Sequence, residues 1–177
     1  VIEAIETLKG KGPVDFTYLC KKFACELLMM TNYVKDETQA MTLVEEKINN
    51  GEALNKLKEM IRYQGGNPEV VNDYSLLPTA KKEIKVISTK SGYVHRLEAL
   101  EIGISAMLLG AGRENKDDVV DPSVGIKVIK KVSDYVNIGD TLAILYVNDK
   151  GEKEAYEKVL NGFCRDCNLK KAKENEK

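Results

Sequence analysis

The run best equipped for chemistry is Gly110-Ala111-Gly112-Arg113, a glycine-rich stretch closed by a guanidinium. Backbone N–H groups bared by glycines, with an Arg fork beside them, are what a phosphate anion requires. No P-loop lysine or second phosphate donor stands nearby, so a structural turn returning a helix to a sheet is the simpler reading. In that reading Arg113 pairs with Glu114, Asp117 or Asp118. Cys164-Arg165-Asp166-Cys167 has the spacing of a metal clip or a redox pair. A structural zinc site takes about four ligands, there is no second CxxC, and the single histidine, His95, is distant in sequence. The pair is therefore read as tail cysteines. His95 as a general base lacks any motif that places an acid to orient it, so a surface or half-buried histidine is expected. Lys127, Lys130 and Lys131 fall in or beside a strand pattern, a poor setting for a swinging arm.

The elements that carry these residues change character along the chain. Residues 1–9 read as a helix stopped by Gly10 and Gly12-Pro13. Asp15 is the expected N-cap of a helix that buries Phe16, Leu19, Cys20, Phe23, Ala24, Leu27 and Met30, the spacing of a single apolar face. Cys20 is then a small buried hydrophobe. Asp36 with Gln39 resembles a capping box ahead of Ala40, Leu43, Val44 and Ile48, with Gly51 as the stop. A further helix carries Leu54, Leu57, Met60 and Ile61 to Gly65-Gly66, and Asn67-Pro68 opens a short helical turn. These helices have no strands of their own to cover, so their apolar faces imply a missing layer, and uncovered faces of that kind are expected to make the chain self-associate. The pattern also begins at Val1 without a cap, which reads as a fragment.

A boundary is expected between Asp73 and Lys82, around Pro78. Beyond it Ile84 and Val86, Tyr93 to Leu97, Ile126–Val128, Ile129–Val132 and Leu142–Val147 suggest strands. One helix over Glu101–Leu109, ended by Gly110, interrupts them. Residues 152–160 read as a last helix, and Lys170–Lys177 as a solvated tail. The net charge of −1 offers no basic field for nucleic acid or a membrane surface. No apolar run approaches a membrane span and no signal-peptide pattern is present, so a soluble, cytoplasmic protein is expected.

Glycines set between apolar runs carry a resemblance. The order Ser91-Gly92-Tyr93-Val94, Leu108-Leu109-Gly110-Ala111-Gly112-Arg113, Asp117-Asp118-Val119-Val120-Asp121, Val124-Gly125 and Val136-Asn137-Ile138-Gly139-Asp140 resembles the C-terminal domain of the pyrimidine-nucleoside phosphorylase and thymidine phosphorylase family. The likeness runs from Val1 to about Leu160. Val132 to Leu142 also resembles the strand–turn–strand signature of biotinyl and lipoyl carrier domains, with Gly139 placed where a positive φ is required.

The resemblance implies an α+β chain. Residues 1–75 would be the helical remnant of an α/β domain, 76–82 a linker, 83–162 a barrel-sandwich domain like that of the carriers, and 163–177 a charged tail. It implies an enzyme that splits a pyrimidine nucleoside with phosphate into base and pentose 1-phosphate, working as a homodimer without nucleic-acid or membrane partners. The family's Lys-Ser-Ser-Gly-Gly-type loop and its Arg, Ser and Lys set on the base do not occur here, so no catalytic or substrate-binding residue is carried over and the chain alone should be inactive. One position does transfer. Glu3 matches the family's carboxylate ligand to a monovalent cation, usually potassium. A hard cation takes several oxygens, so Glu3 alone should not hold it, and no cofactor is expected for the chain by itself. Two other readings stay open: a non-catalytic binding or scaffold module on a lipoyl-like barrel, and part of a phosphorylase acting on nucleoside monophosphates.

Overall fold

A computed structural model describes residues 1–113 and 115–163. The chain divides between Leu77 and Pro78 into two compact units. Cys164, Cys167 and the charged tail lie outside the described residues.

The first unit is helical. Helix α1 (Ile2–Leu8) is followed by Gly10 at φ +75°, and a side chain on Gly12 would collide with Thr7. Helix α2 (Val14–Met30) starts from Pro13, two residues earlier than expected, so Asp15 lies in its first turn instead of capping it. A carboxylate there still complements the positive end of the helix. Helix α3 (Glu37–Asn49) has the expected cap: the Gln39 amide donates to the Asp36 carboxylate at 2.9 Å. The Gln39 side chain returns to the Lys35 amide at 3.4 Å, one residue short of a reciprocal capping box. Gly51, at φ +81°, separates α3 from α4 (Glu52–Tyr63). Asn67 then accepts from the Glu69 amide at 3.0 Å and opens a 3₁₀ turn over Pro68–Val71, as its Asn-Pro signature predicts.

Two patches of burial hold this unit. Ile5, Val70 and Val71 pack with Leu54, Leu57, Ile61, Tyr74 and Leu77, while Cys25 and Ala40 are buried in α2 and α3. The expected apolar face of α2 is only partly used. Phe16, Cys20 and Ala24 are half-buried, but Leu19, Phe23, Leu27 and Met30 are 48, 61, 62 and 77% exposed. The side chain fully enclosed is Cys25, off the predicted stripe. The apolar arc of α2 is wider than the surface that α3 offers it, so α2 turns its Thr17–Cys20–Ala24–Cys25 side inward.

The second unit is mixed. It contains β1 (Lys82–Ile87), β2 (Gly92–Tyr93), α5 (Ala99–Ala106), β3 (Gly125–Val128), β4 (Tyr135–Val136), β5 (Thr141–Val147) and α6 (Glu152–Phe163). An antiparallel sheet has the order β1-β5-β3, with β5 central, and β2 pairs β4 in a separate antiparallel ladder. Leu142, Ala143, Leu145 and Val147 of β5 enter one core with Val86, Leu109, Ala155, Val159 and Phe163. Helix α5 runs into a π-turn over Met107–Ala111 that Gly110 ends at φ +107°, close to the stop expected from sequence.

Three expectations need correcting. Ile129–Val132 is not a strand: the Ile129 and Lys130 amides both donate to the Leu142 carbonyl, at 2.9 and 3.0 Å, and the chain then turns. Tyr93 ends β2, so Leu97 and His95 lie in the loop beyond it. A closed barrel is also not found among the described residues, whose strands form an open three-stranded sheet and a two-stranded ladder.

Candidate functional site

The residues with chemical potential do not converge. Glu3 is exposed in the first turn of α1, and its carbonyl accepts from the Thr7 hydroxyl at 2.8 Å. His95 is exposed in the loop after β2, and Arg113 is exposed just past the π-turn. Among the described residues no three His, Cys, Asp or Glu side chains group closely enough to hold a metal ion. Glu3 is thus one carboxylate oxygen donor: the right chemistry for a hard cation, but too few ligands. The other thiol in α2 offers nothing either, since burial raises the pKa of Cys25 and keeps it protonated.

The glycine-rich stretch behaves as a turn. Gly110 uses its carbonyl, which accepts from the Asp121 amide at 2.9 Å. Asp121 in turn accepts from the Ser123 amide at 2.9 Å and hydroxyl at 2.6 Å, and from the Asn148 side chain at 2.6 Å. Asn148 also accepts from the Lys81 amide at 2.8 Å. Four segments of the second unit are tied by this knot. The Ser123 and Asn148 hydrogen bonds hold the Asp121 carboxyl below its ordinary range. With its acceptor sites committed to neutral donors, Asp121 is a structural anion.

The carrier-like segment contains two turns of one design, six residues apart. In the first, the Lys131 amide donates to the Asp134 carboxylate at 2.7 Å and the Asp134 amide to the Lys131 carbonyl at 3.1 Å. In the second, Asn137 and Asp140 repeat both bonds at 3.0 Å. The third position has positive φ in each: Ser133 at +77° and Gly139 at +92°. The Asn137 amide lowers the pKa of Asp140, with help from Lys130. Each tip is formed by an exposed aliphatic residue, Val132 or Ile138, and the residue after it. Neither tip presents a lysine: Lys131 opens its turn, and Lys130 reaches the Tyr135 carbonyl at 3.3 Å and Asp140 at 3.4 Å. Beside these turns Tyr93 and Tyr135 stack edge to face as a cross-strand pair, 5.0 Å between ring centroids.

The helical unit contributes a clamp and a groove. Lys9 donates to the Val71 carbonyl at 2.7 Å and to the Tyr74 hydroxyl at 3.0 Å, and that hydroxyl donates to Glu6. The Tyr74 hydrogen bond lowers the pKa of Glu6 and raises that of Lys9, so both stay ionised near neutrality. A groove of about 410 Å³ runs between α1, α2 and α3. It is walled by Leu8, Ala24, Leu28, Leu43, Val44 and Ile48, and the Thr17 hydroxyl is buried there without a hydrogen-bond partner. Lys21 and Lys47, also on its wall, are engaged by Glu45 at 2.9 Å and Glu52 at 2.7 Å.

Sequence reasoning missed the Asp121 knot, although Asp-x-Ser is the spacing of an Asx turn and recurs at Asp73-x-Ser75. The Lys9–Tyr74 clamp joins residues 65 positions apart and leaves no local signal. No nucleophile, base and anion cradle come together in either unit as described.

Residues 93–163 match the family model described as the pyrimidine nucleoside phosphorylase C-terminal domain. The pyrimidine-nucleoside phosphorylase of Bacillus subtilis (strain 168) is 41% identical over 163 residues, covering 92% of this chain and 38% of that protein. That of Staphylococcus haemolyticus (strain JCSC1435) is 41% identical over 157 residues, covering 89% and 36%. That of Staphylococcus aureus (strain USA300) is 38% identical over the same length and shares. The chain therefore spans a little over a third of the length of these curated relatives.

Proposed function

We propose that the chain is the C-terminal part of a pyrimidine-nucleoside phosphorylase, a reading supported by the match of residues 93–163 to that family's C-terminal domain model. The enzyme would split a pyrimidine nucleoside with phosphate, releasing the base and a pentose 1-phosphate in nucleoside salvage. The observation that carries this reading is 41% identity sustained over 92% of the chain, through both units. In this reading the chain is structural and inactive by itself. Phosphorolysis needs phosphate held by several donors and polar groups on the departing base. The described residues supply a Gly110 turn closed on its own carbonyl and a carboxylate knot whose donors are already spent.

The open apolar side of α2 and the groove beside it fit a helical layer that the rest of a longer polypeptide covers. Glu3 would supply one oxygen to a monovalent cation in the complete enzyme, the other ligands coming from outside this chain; it binds and orients nothing alone. The complete enzyme would be a cytoplasmic homodimer. Phosphorolysis of uridine and thymidine tests the proposal: no base release by this chain, and turnover once it is part of the full-length protein. Turnover by the chain alone would overturn it.

A further inference from the structure

We draw no further inference here: the strongest candidate, the apolar groove between α1, α2 and α3 with the Thr17 hydroxyl buried unpartnered in its wall, carries nothing because nothing in the structure shows what covers or fills it.

Discussion

The two units solve the burial problem differently. Among the described residues, the second unit encloses twelve apolar side chains in one cluster around β5, while residues 1–77 bury five, Ile5, Cys25, Ala40, Val70 and Val71, in two patches. The helical unit meanwhile leaves Leu19, Phe23, Leu27 and Met30 in solvent along one helix. Burial of apolar surface is the main favourable term in folding. The β-rich unit thus has the means of its own stability, and the helical unit keeps apolar surface in reserve. That helix face is 48–77% exposed at four large residues, and soluble monomers seldom expose contiguous apolar patches of this kind.

The sharpest way to test that contrast is to truncate one large apolar side chain on each side of it. Leu145 is fully buried in the central strand, so Leu145→Ala should lose about 2–5 kcal/mol of unfolding free energy in denaturant titrations. Phe23→Ser, on the exposed side of α2, should change the stability of this chain by less than about 0.5 kcal/mol. An effect of Phe23→Ser comparable with that of Leu145→Ala would erase the distinction between the units.

Between those extremes lies the polar knot. The folded-state pKa of Asp121 is depressed by Ser123 and Asn148. Its stabilising contribution is therefore full above the ordinary carboxylate range and fades as pH falls through the folded value. Asp121→Asn should destabilise the second unit at pH 7, and the difference from the unmodified chain should shrink by pH 3. A gap that stays constant from pH 7 to 3 would mean the carboxylate charge is not what holds the knot. A smaller effect of opposite sign is expected at the first of the paired turns. Ser133 adopts the left-handed backbone that Gly139 adopts six residues later. Ser133→Gly should relieve strain and raise stability by about 1 kcal/mol, read as a higher thermal midpoint. A lower midpoint would show that the serine side chain does something in the turn beyond tolerating it.

What sequence reasoning could and could not reach follows from the range of the interactions. Stops at Gly10, Gly51 and Gly110, the Asp36 cap and the Asn67-Pro68 turn were legible because each depends on residues within four positions. The Gly139 turn was legible for the same reason, but its twin was hidden by Ser133, a residue that turn rules do not place at positive φ. Ile129–Val132 looks like a strand by composition. It becomes a turn because Leu142, a dozen residues away, takes two amides in succession with one carbonyl. The inward side of α2 was misjudged because periodicity reports that a face is apolar and not whether a neighbour covers it. As for chemistry, the spacing of Gly110 to Arg113 permitted a phosphate cradle or a turn, and the Gly110 carbonyl accepts from the Asp121 amide in the π-turn that follows α5. The position of Glu3 came from resemblance alone, and an exposed carboxylate on a seven-residue helix carries no local mark of a ligand.

The most direct measurement is amide hydrogen exchange of residues 14–30 and 141–147, followed in this chain and in the full-length protein, the longer enzyme proposed to contain it. Covering of the α2 face predicts that residues 14–30 exchange faster in the chain and become protected in the full-length protein, with β5 equally protected in both. Equal protection of α2 in the two proteins, or protection of β5 that appears only in the longer one, would contradict the account.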